Sequence, residues 1–152
     1  MLYQLRNLNE EEKSVIINAP IWVTLLIACV DENINPNEID KAKEVINVRS
    51  FTEDSDVRNL YKELNHDFEH AVQLAINALP LVGSERIAHL ISNLEKMNPI
   101  LAKLEHTYAV QLHEGLTRLA AVVANSDGGF FGIGAVSRKE AQYIGLPMIN
   151  KP

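Results

Sequence analysis

The sequence predicts an all-α fold, a compact single-domain bundle of six or seven helices over residues 1–152. Nearly every segment repeats its apolar residues at steps of three and four, the period of an α-helix, and no stretch alternates for long as a half-buried strand does. A chain of 152 residues can bury about 70% of its unfolded surface, and no linker or low-complexity tract divides it. The hydrophobic fraction of 47% and the charged fraction of 22% are ordinary for a globular domain.

The first predicted helix follows Asn9, a favourable N-cap, and begins with three glutamates where the helix dipole favours acids. We expect Pro20 to kink or divide this helix, because proline removes a backbone donor. The apolar run from Ile21 to Val30 has about half the length of a membrane span, so it predicts a core helix. The next helix begins at "NPNE", residues 35–38, where a cap precedes proline at the first helical position.

Further along the chain, a longer helix is predicted from Thr52 to near Pro80, another after Ser84, and a last long one from Asn98-Pro99. Along each of them the apolar side chains return to one face. The residues that we expect to share one core are Trp22, Leu26, Phe68 and Leu112.

Two short acidic stretches follow apolar helices at opposite ends of the chain. In "ACVDENINPNE", Glu38 comes seven residues after Asp31. In "ANSDGGFFGIGAVSRKE", Glu140 comes thirteen residues after Asp127 and forms a capping-box pattern with Ser137, which opens a short final helix. Both stretches read Ala-x-x-Asp, then a turn, then a helix with glutamate in its first turn. We call them the first and the second acidic junction.

Both junctions resemble a turn of the tellurite-resistance TerB family, A-x-x-D-G-x-[IV]-x-x-x-E, which occurs near each end of that family's helical domains. The first junction matches it in Ala28, Asp31, Ile34 and Glu38 and departs from it at Glu32, where the family usually has glycine. The second keeps Ala124, Asp127, Gly128 and Glu140 with a longer turn, and "YIGLP" is similar to the family's closing "LGL". The resemblance spans roughly residues 10 to 147. It implies a TerB-like fold and a stress-response protein that binds metal through these acids.

The first junction does not fit an EF-hand calcium loop, because Pro36 replaces the turn glycine and Ala42 the bidentate glutamate. Two interpretations stay open. The acids either cap helices, or they lie together and share a hard cation such as Ca²⁺ or Mg²⁺, which prefers oxygen ligands. The metal ligands of the second interpretation are Asp31, Glu38, Asp127 and Glu140.

Two other stretches are candidates for chemistry. "HDFEH" matches the H-x-x-E-H zinc-protease pattern, and a metal-dependent hydrolase or oxidoreductase using His66 and His70 is the alternative function. We expect both histidines at the surface, however, since they oppose the apolar face. "GGFFGIG" lacks the lysine of a P-loop, and its residues Gly129, Phe130, Phe131 and Gly132 predict either a core-plugging turn or a loop that binds a partner or a ligand. Isolated histidines that we expect at the surface or at an edge are His89, His106 and His113.

Several function classes are disfavoured. The net charge of −6, with dispersed lysines and arginines, argues against a nucleic-acid binder. The N-terminus turns acidic where a signal peptide would be apolar, so we expect a cytoplasmic protein without a membrane span. Cys29, the only cysteine, is expected in the core. The sequence therefore favours a non-enzymatic module that acts through an unidentified protein partner, and it leaves a homodimer open.

Overall fold

The computed structural model describes residues 2–30, 34–52, 55–125 and 138–152, the side chains of Thr52 and Ser55 excepted. Every regular element in these ranges is helical, which confirms the predicted all-α class. The elements are a 3-10 turn (Tyr3–Leu5), α1 (Glu10–Ala28), α2 (Pro36–Thr52), α3 (Ser55–His66), α4 (Phe68–Asn77), α5 (Gly83–Glu95), α6 (Met97–Leu101), α7 (His106–Asn125) and α8 (Arg138–Ala141).

Helix α1 is the centre of the bundle and contacts each of the helices α2 to α7. Its second half, from Ala19 to Ala28, is buried on every side except at Trp22, which is partly buried. A helix that is apolar all round is typical of a position inside a protein, surrounded by other elements. Residues Ile21 to Ala28 of the predicted run thus form a core helix, and Cys29 and Val30 are buried just after its end. No helix of the described chain combines the length and the apolar character needed to cross a membrane.

The start of α1 confirms the predicted cap. The side-chain oxygen of Asn9 accepts a hydrogen bond from the N–H of Glu12 at 2.8 Å, and the Glu12 carboxylate accepts one from the N–H of Asn9 at 3.0 Å. The division expected at Pro20 does not occur, since α1 continues through it. The buried hydroxyl of Thr24 donates to the Pro20 carbonyl at 2.8 Å and adds a hydrogen bond beside the proline.

The single helix predicted from Thr52 to Pro80 is wrong at its start and in its middle. Thr52 is the last residue of α2, and the helix after it is interrupted at Asp67, whose φ and ψ are −135° and 30°. Leu64 and Phe68 are buried on either side of this break. Both α3 and α4 pack against α1.

Two later helix starts also differ from the prediction. Ser84 is the second residue of α5 and not its cap. The segment from Asn98 belongs to the short α6, and the last long helix begins at His106. The N–H groups of its second and third residues, Thr107 and Tyr108, each donate to the Glu105 carboxylate at 3.0 Å. Glutamate is not among the preferred N-cap residues, so the pattern gave no sign of this start.

The core is one contiguous cluster of buried apolar side chains. Leu26, Phe68 and Leu112 belong to it, as predicted, and the partly buried Trp22 packs against it. Cys29 is buried in the same cluster, which confirms its expected place.

Candidate functional site

The first acidic junction connects the end of α1 to the start of α2. The N–H of Asn35 donates to the carbonyl of Ala28 at 3.3 Å and ties the two helix ends together. The Asn35 side-chain oxygen accepts from the N–H of Asn37 at 3.0 Å, and its amide donates to Glu38 Oε1 at 3.3 Å. The glutamate is therefore held in the first turn of α2. Asp31 lies outside the described residues.

The carboxylate of Glu38 is inside the protein, since only 2% of the residue is exposed. The pKa of the Cys29 thiol shows which charged groups act on this part of the first junction. Burial raises the pKa of Cys29, the guanidinium of Arg86 opposes that rise, and the carboxylate of Glu38 adds to it. Arg86 comes from α5, where its Nε donates to the Pro80 carbonyl at 2.8 Å. The first junction thus contains a buried carboxylate and a positive charge of the protein itself.

The second acidic junction leads into α8, and the structure describes its residues 124–125 and 138–140. Glu140 is only 3% exposed, and its carbonyl accepts hydrogen bonds from the N–H groups of Tyr143 at 2.9 Å and Ile144 at 3.2 Å. These bonds continue the turn of α8 toward the end of the chain. Outside the described residues lie Asp127, Ser137 and the predicted partner loop of Gly129, Phe130, Phe131 and Gly132.

The predicted convergence of the four acids depends on Asp31 and Asp127, so it stays a prediction. Residues 2–30, 34–52, 55–125 and 138–152 by themselves hold no group of three Asp, Glu, His or Cys side chains that could bind a metal ion. The helices that lead into the two junctions, α1 and α7, pack against each other, and α2 also contacts α7. The structure therefore establishes one feature of the predicted site, the burial of both motif glutamates.

The histidines of "HDFEH" are exposed, as predicted, but they do not lie on one helix. His66 ends α3 and His70 belongs to α4, so the break at Asp67 separates them. The helical spacing that H-x-x-E-H needs is therefore absent. The intervening Glu69 forms an ion pair with Lys43, which lowers the pKa of the Glu69 carboxyl. The geometry does not favour the catalytic alternative at this surface.

The expectation that His113 lies at the surface is wrong, because it is only 8% exposed within α7. Burial lowers its pKa, the positive charge of Lys151 lowers it further, and Glu114 acts in the opposite direction. The last residues of the chain pack against α6: the Asn98 side chain donates to the Met148 carbonyl at 3.0 Å and accepts from the N–H of Asn150 at 2.7 Å. Sequence alone could not show that this segment places a lysine near a buried imidazole.

A pH dependence follows from His113. Its pKa in the folded protein is below the ordinary value of 6.5, so the unfolded chain binds the proton more readily. The stabilisation is complete above pH 6.5 and declines as the pH falls from 6.5 toward the folded-state pKa. We expect urea unfolding to show a loss of stability on going from neutral to mildly acidic pH, and the loss should be smaller in His113→Gln. The matched control is His106→Gln, at an exposed histidine on the same helix. Equal slopes in wild type and His113→Gln would contradict the assignment.

A buried polar cluster between α2, α3 and α7 was not predicted. Arg49, only 8% exposed, donates from Nη1 to the Tyr61 hydroxyl at 2.9 Å and to the Gly115 carbonyl at 2.8 Å. A sequence signal for it does exist. Gly115 lies between the core residues Leu112 and Leu116 of a predicted helix. A glycine in a helix interior often marks a close approach of another group.

The chain has no match among protein-family models, among curated proteins or among solved structures. Its all-α fold is established by its helices, and the TerB resemblance stays an inference from the residues of the two junctions.

Proposed function

We propose that this chain is a non-enzymatic TerB-like module that binds a divalent cation, Ca²⁺ or Mg²⁺, through its two acidic junctions. The ligands would be Asp31, Glu38, Asp127 and Glu140. The cation would join the two junctions and set the shape of a surface that a protein partner recognises. The cytoplasmic location and the stress-response role come from sequence features and from the TerB resemblance.

The observation that carries the proposal is the burial of Glu38 and Glu140, at 2% and 3% exposure. Glutamate is almost never fully buried unless its charge is paired or coordinated. The same chain shows what an ordinary capping acid looks like: Glu105 caps α7 through two backbone N–H groups and stays exposed. Capping therefore does not require burial, and the two motif glutamates differ from Glu105 in this respect.

The chemistry of the ligand set fits a hard cation. Carboxylate oxygens are the preferred ligands of Ca²⁺ and Mg²⁺. The aspartate of each junction also follows a helix C-terminus, where the helix dipole is unfavourable to a negative charge and a cation would relieve the repulsion. Arg86 supplies part of that positive charge at the first junction. We expect Arg86→Gln to strengthen cation binding, because the guanidinium repels a divalent ion.

The test is the melting temperature of the protein, purified without a His tag and stripped of metal, with and without millimolar Ca²⁺ or Mg²⁺. A cation present at about 100 times its dissociation constant stabilises a folded protein by about 2.7 kcal/mol, which for this length is a rise of roughly 5–10 °C. We expect the rise in the wild type and not in Asp31→Asn/Asp127→Asn. The matched control is His66→Gln/His70→Gln, which should keep both the fold and the cation response.

Two results would contradict the proposal: no cation response in the wild type, or a response that survives the double aspartate substitution. The junctions would then be helix caps alone. In that case Glu38→Ala and Glu140→Ala should each still cost about 1 kcal/mol, the usual scale of a capping interaction. Stoichiometric Zn or Fe that disappears on changing His66 and His70 would instead favour an enzyme.

A further inference from the structure

A cavity of about 550 Å³ lies between the N-terminal turn, the start of α3 and the start of α7. Small-molecule sites in proteins commonly have volumes of about 300–1,000 Å³. No described residue of either acidic junction lines this cavity. Its lining combines the Tyr3 side chain and the apolar Leu104 with charged side chains.

The lining contains two opposite charges, those of Arg6 and Asp56, that do not pair with each other. The guanidinium of Arg6 stacks 3.9 Å above the ring centroid of Tyr3 and donates to the Tyr3 carbonyl at 3.0 Å. Asp56 accepts a hydrogen bond from the neutral amide of Gln4 at 2.9 Å. Within the part of the chain that the structure describes, Arg6 and Asp56 form no ion pair with each other or with another side chain. The cavity therefore presents one positive and one negative group that a ligand could use.

The other charged residues of the lining are already engaged. Lys103 forms an ion pair with Glu12, which is outside the cavity lining and whose pKa is lowered by that contact. The two oxygens of Glu105 accept hydrogen bonds at the start of α7, and these bonds lower the pKa of the Glu105 carboxyl. The charges left for a ligand are those of Arg6 and Asp56.

Tyr108, one of the lining residues, has a buried hydroxyl that no described residue hydrogen-bonds. Burial raises the pKa of Tyr108, and the neighbouring Tyr61 and Asp56 raise it further, so the hydroxyl keeps its proton and remains a donor. Leaving such a group unsatisfied is unfavourable. A side-chain movement of the kind that often accompanies ligand binding would let this hydroxyl bond to a ligand.

We propose that this cavity binds a small zwitterion of the α-amino-acid class with an apolar side chain. The ligand carboxylate would pair with the Arg6 guanidinium, whose fork of N–H donors fits a carboxylate, and would accept from the Tyr108 hydroxyl. The ligand ammonium would pair with Asp56. Leu104 and the Tyr3 ring would contact the apolar side chain. A ligand with a single charge would leave one of the two protein charges unmatched.

The experiment is a titration of the ¹⁵N-labelled full chain in EDTA, followed by NMR, with L-leucine, N-acetyl-L-leucine and L-leucinamide. EDTA removes any cation bound at the acidic junctions, so the outcome is independent of the proposed function. We expect L-leucine to shift the signals of the cavity residues and to bind at least about tenfold more tightly than either single-charge analogue. No shift at about 10 mM L-leucine, or equal binding of N-acetyl-L-leucine, would overturn the proposal.

Three variants test the assigned contacts. Arg6→Gln and Asp56→Asn should each weaken L-leucine binding about tenfold or more, and Tyr108→Phe should weaken it without lowering the melting temperature of the unliganded protein. Arg58→Gln, on α3 and outside the described lining, is the control and should bind as the wild type does. Binding that is unchanged in both Arg6→Gln and Asp56→Asn would overturn the proposal, even if the three probes bind in the expected order.

Discussion

Leu112→Ala is expected to lower the free energy of unfolding by about 2–5 kcal/mol. Leu112 lies in the middle of α7 and is 1% exposed, in the same core cluster as Leu26 and Phe68. Truncation removes apolar contacts, and it also leaves a cavity that neighbouring helices fill only in part. Since α7 packs directly against the central helix α1, there is little freedom for the helices to close the gap.

Urea unfolding followed by far-ultraviolet circular dichroism measures this effect. The expected result is a lower midpoint with an unchanged dependence on urea concentration, because the substitution alters stability and not the surface exposed on unfolding. Leu81→Ala is the matched control: Leu81 is 91% exposed, so the same chemical change should stay within about 0.5 kcal/mol. A cost for Leu112→Ala as small as that of Leu81→Ala would show that α7 does not bury this face.

The fold class could be predicted from sequence because two strong patterns agree with it. Apolar residues recur at helical steps through most of the chain, and the run from Ile21 to Val30 is apolar on all faces, which requires a surrounding layer of helices. The structure places Ile21 to Ala28 of that run in α1 and surrounds this helix with other helices. Periodicity was sufficient here because it reports directly on burial.

The helix boundaries were less predictable, for reasons that lie in particular residues. The apolar period continues from Leu64 to Phe68 across the break at Asp67, and nothing local to Asp67 forbids a continuous helix. The start of α7 depends on the carboxylate of Glu105, a residue that patterns assign to helix interiors more readily than to caps. Tertiary packing decided both positions.

The candidate site was predictable in its residues and not in its environment. Glu38 and Glu140 could be selected from their repeated motif, but a capping interpretation predicts partly solvated acids, whereas both are buried. The positively charged side chain near the first junction, Arg86, is distant in sequence. It comes near through the packing of α5 on α1. Contacts between distant segments of this kind have no local sequence pattern.

Arg49→Met is expected to destabilise the protein by about 2–4 kcal/mol, because it removes a charged donor from a buried cluster. Methionine keeps much of the length of the side chain, so the effect comes mainly from lost polar contacts, among them the hydrogen bonds to the Tyr61 hydroxyl and the Gly115 carbonyl. The guanidinium also lies 5.3 Å from the centroid of the Tyr61 ring, within range of a cation–π contact. Arg49→Lys should cost less than Arg49→Met, since it keeps the charge and one donor group.

Urea unfolding again supplies the measurement, and Arg58→Met is the control. Arg58 lies on α3 and is only partly buried, so its replacement should change stability by no more than about 0.5 kcal/mol. If Arg49→Met costs no more than Arg58→Met, the cluster of Arg49, Tyr61 and Gly115 does not hold α2, α3 and α7 together.

The sign of the effect of Gly115→Ala tests the same cluster independently. In an exposed helix interior, alanine would stabilise the protein by about 1 kcal/mol relative to glycine. At position 115 the added Cβ would lie 2.9 Å from the Tyr61 hydroxyl, so the Tyr61 side chain must shift away from α7, whereas the distance of 3.6 Å to Arg49 Nη1 is an ordinary contact. We therefore expect Gly115→Ala to lower the free energy of unfolding by about 1–3 kcal/mol despite the better helix propensity of alanine. The loss should be smaller in the Arg49→Met background, where the cluster is already broken, and this non-additivity can be measured with a double-mutant cycle. A stabilising Gly115→Ala would show that α7 does not approach Tyr61 as closely as this geometry requires.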